Sequence, residues 1–274
     1  MKKIADRASE IFPLKQAPLV HCITNDVSIE TVANTLLYIN AQPIMTNDVR
    51  EFSELFKHTS SLLLNLGSLS KEKESALLMA AKKAKAKKKP FVLDIVGVTS
   101  APIAFYLSQQ LEKYKPNILK GNVSELRAFC GLKVSGRGVD SSEFDQTEEG
   151  MEELVKALKQ QDSSITYLAT GKKDLIVSKD ETWVMENGVE KLQQFTGSGD
   201  LLGALIAALL GEGFDNLSAA IFALSYLNIC GEHANKKLTS SNGLADFRHE
   251  TLNQLSLLSV TNDNWFNQVK GRKQ

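Results

Sequence analysis

Residues 61–97 read SLLLNLGSLSKEKESALLMAAKKAKAKKKPFVLDIVG, and the architecture follows from the three parts of this stretch. SLLLNLG (61–67) is a continuous apolar run, as expected of a strand buried on both faces. A Lys-rich helical pattern over 71–88 comes next, and FVLDIVG (91–97) is a second buried strand. Strand, helix and strand at this spacing make a βαβ unit, whose two strands run parallel. The same alternation extends upstream. PLVHCIT (18–24) reads as a strand, IETVANTLLYIN (29–40) as a helix, AQPIMT (41–46) as strand-like and DVREFSELFKH (48–58) as helical. Downstream come a helix over 102–114, the strand NILKGN (117–122) and a helix opening at Val123–Cys130. The polar, Gly-rich stretch 133–150 reads as a surface excursion, because MEELVKALKQQ (151–161, helix) and ITYLATG (165–171, strand) resume the pattern. DLIVSKDETWVMENG (174–188) reads as two antiparallel strands turning near Lys179 and Asp180. Three helical stretches follow, over Gly199–Gly211, Asp215–Asn235 and His249–Ser259. The expectation is an α/β fold with a largely parallel central sheet and helices on both faces, in a single domain over 1–274 without repeats or linkers.

Composition narrows the function classes. Lys plus Arg (32) equal Asp plus Glu (32), so no overall field draws the chain to nucleic acid or to a membrane. KKAKAKKK (82–89) ends a helix, where cations meet the negative end of the dipole, and it lacks interleaved aromatics; it reads as a solvated face. Cys22, Cys130 and Cys230 form no CxxC pair, which indicates neither a zinc site nor a disulfide framework; they read as small hydrophobes. His21 follows a strand pattern and is structural or near the site, whereas His58, His233 and His249 lack metal-ligand spacing. The opening MKKIADRASEIFPLK turns polar before a signal-peptide core can form, and the most apolar run, Leu201–Leu210, is too short to span a bilayer. A cytoplasmic protein is expected.

The chemistry concentrates in FTGSGDLLGALIAALLG (195–211). Gly197, Ser198 and Gly199 supply consecutive backbone N–H groups at the mouth of an apolar helix, a ready anion site. Asp200 is the one charged residue there. It reads either as a first-turn acid that favours the helix dipole or as a base that takes a proton from an attacking hydroxyl. Asp94 ends the strand FVLDIVG, and ligand crevices in open α/β sheets lie at the carboxyl ends of strands. Asn122 and Glu125 follow NILKGN three residues apart, the spacing of a helix capping box, which is compatible with a functional role. Thr170 and Gly171 end a third strand. A metal-organising acid, phosphate donors and a base together are what phosphoryl transfer needs. No GxxxxGK[ST], HRD or DFG is present, so the common nucleoside triphosphate plans do not apply.

In register along nearly the whole chain, PLVHCITNDVSIETVANTLLYINAQPIMTNDVREF, LLLNLGSLS, VLDIVG, KGNVSE, ATGKKDLIVSKD and TGSGDLLGALIAALLG resemble the hydroxyethylthiazole kinase family of the ribokinase-like superfamily. That resemblance implies ATP- and Mg²⁺-dependent phosphorylation of the hydroxyl of 4-methyl-5-(2-hydroxyethyl)thiazole, a step of thiamine salvage. It implies Asp200 as catalytic base, with Gly197, Ser198 and Gly199 as anion hole. Met45, Asn25, Gly67 and Gly197 would meet the substrate, Lys120, Asn122 and Thr170 the ATP, and Asp94 and Glu125 would organise the metal. It further implies a homotrimer with the substrate site at the subunit interface. The chain departs from the family in carrying Asp200 where Cys is common, Lys120 where Arg is usual, and Val98-Thr99-Ser100-Ala101 where the family is Gly-rich. An ordinary carboxyl, with pKa about 4, would make Asp200 an ionised base at neutral pH. Other readings within reach of these residues are a hydroxymethylpyrimidine or pyridoxal kinase, an NAD(P)H-hydrate dehydratase of the same fold, and a nucleotide binder without turnover. The ITN and P-x-M segments favour the thiazole reading.

Overall fold

A computed structural model describes residues 11–133, 147–261 and 265–274. Their centre is a nine-stranded sheet in the order β2-β1-β3-β4-β5-β6-β7-β8-β9. The strands are β1 (Leu19–Ile23), β2 (Gln42–Ile44), β3 (Ser61–Asn65), β4 (Phe91–Asp94), β5 (Ile118–Asn122), β6 (Thr166–Thr170), β7 (Asp174–Val177), β8 (Thr182–Met185) and β9 (Gly271–Lys273). All pairings from β2 to β6 are parallel, and those from β6 to β9 are antiparallel. Because β1 lies between β2 and β3, the chain reverses its direction of growth at β1. The crevice above the carboxyl ends of β1 and β3 is therefore the topological switch point, where open α/β sheets bind ligands.

The buried strands alternate their side chains between two cores. Leu63, Val92, Ile118, Leu168 and Ile176 face one, packed by α1 (Ile29–Tyr38), α7 (Ser198–Glu212), α8 (Asn216–Lys237) and α9 (Leu244–Val260). Leu62, Leu64, Phe91, Leu93, Leu119 and Tyr167 face the other. There they meet α2 (Phe52–His58), α3 (Lys71–Lys87), α4 (Pro102–Glu112), α5 (Val123–Phe129) and α6 (Glu148–Leu158). Period-two alternation on strands that are apolar throughout is why both faces are covered.

The expected elements are present, with differences at their ends; the helix expected from Asp48 begins at Phe52. The last long helix begins at Leu244, ahead of His249, because the Asp246 carboxylate accepts the Gly243 N–H at 2.8 Å and starts the turn there. The excursion at 133–150 lies mostly outside the described residues, but its end is helical: Thr147 caps α6 by accepting the Gly150 N–H at 3.1 Å. β9 carries no strand pattern in GRK and is held by its ladder to β8. The Lys-rich helix ends at Lys87, with Lys88 in the left-handed conformation (φ 53°). Cys22 and Cys230 are buried and Cys130 is half-buried.

Helix α7 sits close on the sheet. From Asp200 to Leu210 every residue is buried. A Cβ added at Gly203 would lie 2.8 Å from Leu63 Cδ1 and 3.8 Å from Asp94 Oδ2. Leu63 is fully buried and has no room to yield. Gly203→Val should therefore lower stability by about 1–3 kcal/mol through overpacking, partly offset by helix propensity. Denaturant unfolding of the variant, read as a lower midpoint at unchanged slope, checks this.

Candidate active site

The alternation that fills the cores also builds the site. Asn65 and Asp94 end β3 and β4, and Lys120 is the third residue of β5; they lie two residues beyond Leu63, Val92 and Ile118, so they face α7. The ladders set them side by side: Asn65 is in register with Asp94, and Asp94 with Lys120. Lys120 Nζ donates to Asp94 Oδ2 at 2.7 Å in a pair almost wholly out of solvent. Asn65 Nδ2 donates to Asp94 Oδ2 at 3.0 Å and to Asp200 Oδ1 at 2.9 Å, bridging the two carboxylates. Asn65 Oδ1 accepts the Gly67 N–H at 2.8 Å, which fixes the amide's orientation. The Ser28 hydroxyl donates to Asp200 Oδ2, completing the hold on that carboxyl.

Gly197 stands at the N-cap of α7 with φ 95°, in the left-handed region that favours glycine. Gly199 is exposed, and Lys120 Nζ would lie 3.6 Å from a Cβ placed there. The first N–H groups of α7 thus open on a site with a cation beneath it, suited to an anionic group. Burial, and then the Asp94 charge, hold the Asp200 carboxyl above the usual range; Ser28, Lys120 and Asn65 oppose this. The expectation of an ordinary carboxyl at position 200 is corrected accordingly, and a raised value brings a base closer to working pH.

Glu125 and Asn122 form the expected capping box at α5. Asn122 Oδ1 accepts the Glu125 N–H at 2.8 Å, and Glu125 Oε2 accepts the Asn122 N–H at 2.7 Å. Glu125 Oε1 also accepts the Gly97 N–H at 2.8 Å, tying the turn after β4 to α5. Burial pushes its carboxyl up to about 7. Thr170 ends β6 half-buried, its hydroxyl 3.4 Å from the Gly121 carbonyl oxygen. The adjoining turn is held by Asp174, which accepts the Gly171 N–H at 3.0 Å and the Asn228 Nδ2–H at 2.9 Å. Met45 follows β2, half-buried against the α1–α7 core. Its neighbour Thr46 gives its carbonyl to the His21 Nε2–H at 2.8 Å, which assigns His21 a positioning role beside the site. Burial lowers the His21 pKa and so favours the neutral ring, against the bond to Thr46. Asn25 and Gly67 meet at the switch point, where a Cβ at Gly67 would lie 2.7 Å from Asn25 Nδ2.

The structure brings Asp94, Lys120, Gly197, Gly199 and Asp200 together, with Asn122, Glu125 and Thr170 on the β5–β6 side and Asn25, Met45 and Gly67 around β1–β3. Lys120, expected as an ATP contact, is a buried partner of Asp94. Removing it would leave a buried carboxylate short of its cation, a loss of about 3–5 kcal/mol, so its substitution acts on more than ATP binding. Sequence reasoning missed Asn65, Ser28 and Lys73. Asn65 carried a signal, being a polar residue that closes an otherwise apolar strand; Ser28 and Lys73 carried none. Among the described residues no three His, Cys, Asp or Glu side chains converge as a metal cage. A Mg²⁺ here would take most of its ligands from phosphate oxygens and water, as this ion commonly does. Asp94 at the end of β4 and Glu125 in the first turn of α5 fit that arrangement.

An α/β sheet with a helix mouth suited to an anion, a buried Asp at its third position and an acid at the end of β4 has the parts of a phosphotransferase of the ribokinase-like class. Comparison with known proteins gives the particular family. The model of the "Hydroxyethylthiazole kinase family" matches residues 13–261, and the chain belongs to that family. It is 50% identical over 273 residues to the hydroxyethylthiazole kinase of Enterococcus faecalis, covering 98% of this chain and 99% of that protein. Among solved structures, the hydroxyethylthiazole kinase protein of Pyrococcus horikoshii OT3 superposes with a TM-score of 0.85 at 26% identity, covering 100% of both chains. An ADP complex of Bacillus subtilis pyridoxal kinase shares the fold, at TM-score 0.59 and 14% identity over 78% of this chain and 91% of that one.

Burial pushes the Asp174 carboxyl up to about 7, against the two N–H donors that favour its charge. The folded chain thus keeps this proton to higher pH than the unfolded chain, whose carboxyl titrates near about 4. Between these values the native state binds more protons, so stability falls as pH rises through that window and levels off above it. Asp174→Asn should flatten the decline of melting temperature between about pH 4 and pH 7. The flattening is partial, because Glu125 contributes a slope of the same sign. An unchanged slope would show that Asp174 titrates normally.

Proposed function

We propose that the chain, acting as one kinase domain, transfers the γ-phosphoryl group of ATP to the hydroxyl of 4-methyl-5-(2-hydroxyethyl)thiazole, with Asp200 as base. Hydroxyethylthiazole kinase activity in thiamine metabolism is the activity of its family. The observation that carries the residue assignment is the position of Asp200. Its carboxyl is buried at the mouth of α7, held by Ser28 and Asn65, three residues beyond a glycine N-cap whose helix offers unpaired N–H groups. The attacking hydroxyl loses its proton to Asp200 as its oxygen bonds to phosphorus, and the bond from phosphorus to the β-phosphate oxygen breaks to release ADP. N–H groups of Gly197, Ser198 and Gly199, with Lys120 beneath, stabilise charge on the transferring group. Asn122 and Thr170 lie toward the nucleotide. Met45, Asn25 and Gly67 lie toward the thiazole. Asp94 and Glu125 would hold Mg²⁺ through its waters; when bound, the ion neutralises charge between the phosphates.

The assembly in this reading is a homotrimer with the pocket closed by a neighbouring chain. Supporting it, Val27 is 68% and Ile29 39% exposed next to Asn25 and Ser28, an apolar rim left open beside a ligand crevice.

Three measurements test the reading. Asp200→Asn keeps the shape but removes the proton acceptor, so kcat should fall by about 10²–10⁴ with ATP affinity nearly unchanged. A variant of near wild-type turnover would remove Asp200 as base. Met45→Asp should raise KM for the thiazole alcohol far more than KM for ATP, because the new charge must be desolvated against an apolar ring. Sedimentation run beside this assay should show activity disappearing as the trimer dissociates, and a fully active monomer would overturn the shared pocket.

A further inference from the structure

Lys73 is 3% exposed, although lysine is among the residues least often buried. It stands in the first turn of α3, the positive end of the helix dipole, where a cation is locally unfavourable. Helix propensity and capping therefore do not explain it. Its side chain reaches over the carboxyl edge of the sheet. Nζ donates to the Thr24 carbonyl at 2.7 Å and to the Gly67 carbonyl. Thr24 is the first residue beyond β1, and Gly67 lies two residues beyond β3. One ammonium thus ties together the two chain segments that flank the switch-point crevice. Both bonds go to backbone, so they fix where the main chain runs, whatever the side chains of those residues do. Burial lowers the Lys73 pKa, and the charges of Asp26, Asp94 and Asp200 oppose that shift.

What this tie controls follows from the neighbouring contacts. Asn25 comes directly after Thr24, and its Oδ1 accepts the Ser68 hydroxyl at 2.9 Å, a second link between the same segments. Gly67 N–H is the donor that orients Asn65, which in turn holds Asp200. A shift of the Gly67 turn away from Thr24 would widen the crevice on the alcohol side, whereas Asn122 and Thr170 stand on β5 and β6, away from it.

We infer that Lys73 is a positioning residue for the acceptor alcohol: its ammonium, clamped between the Thr24 and Gly67 carbonyls, sets the width of the crevice in which Asn25 and Gly67 meet the substrate. The inference rests on the reading of Asn25 and Gly67 as the alcohol side of the site. Lys73→Met keeps the stem and removes the donors. It should raise KM for the thiazole alcohol about 10-fold or more, with KM for ATP within about 3-fold. Lys73→Arg, which keeps donors for two carbonyls, should recover part of the alcohol KM; it also serves as the folded variant should the methionine form not fold. Asn25→Ala separates the two levels of the argument. If Asn25→Ala raises the alcohol KM and Lys73→Met does not, the clamp is refuted while the site reading stands. If Asn25→Ala leaves the alcohol KM unchanged, the site reading itself fails. A Lys73→Met protein that melts earlier but shows wild-type KM for the alcohol, or equal rises in both KM values, makes Lys73 a structural residue only and overturns the inference.

Discussion

The buried ion pair between Lys120 and Asp94 is the constraint on which the site is built. Two charges in register on adjacent strands, both nearly sealed from water, are tolerable only while each satisfies the other, and they hold 2.7 Å apart. That requirement fixes what lies above them. The overlying helix has to bring apolar side chains down on the sheet without prying the pair open, and Gly203 supplies the clearance next to Asp94. Once the helix is seated, its third residue, Asp200, comes within reach of Asn65, and the same amide bonds both carboxylates. Parallel register, helix approach and polar network are thus one arrangement, and a change in any of them is felt by the other two.

The carboxyl at position 200 is intelligible within this setting. A carboxylate placed next to Asp94 would be repelled; the neighbouring Lys120, the Ser28 hydroxyl and the Asn65 amide each lower that repulsion without abolishing it. The balance leaves a carboxyl that holds its proton more firmly than a free one. The cation that pairs with Asp94 therefore has a second effect, since it also moderates the electrostatics of the group three hydrogen bonds away.

Much of this was legible in the sequence, for a physical reason. Strands buried on both faces read as unbroken apolar runs, so SLLLN and FVLD announced a parallel sheet, and the helix of residues 198–212 announced its burial by being apolar on all sides. GNVSE announced a cap that the structure contains, because capping is local chemistry between residues three apart. What was not legible is the pairing across strands. That Lys120 faces Asp94, that Asn65 bridges to Asp200, and that Ser28 arrives from before α1 all depend on register and on contacts separated by 26 to 172 residues. A Lys at the end of a strand looks the same in sequence whether it meets a phosphate or a carboxylate. β9 was missed for a related reason: its three residues have no pattern of their own and become a strand only by completing β8.

That completion has a bearing on how the molecule behaves in concentrated solution. β8 carries Trp183, Val184 and Met185, and without β9 its backbone would present an apolar, hydrogen-bond-hungry margin to any other chain. Gly271, Arg272 and Lys273 cover it with a short strand whose exposed side chains are cationic, and Lys273 is anchored to Glu181 at 2.6 Å. A charged, three-residue rim is a poor template for further strand addition. The opposite margin of the sheet is kept equally brief by the three residues of β2. Growth of the sheet into a polymer is thereby blocked at both sides, so association is left to helix and loop surfaces.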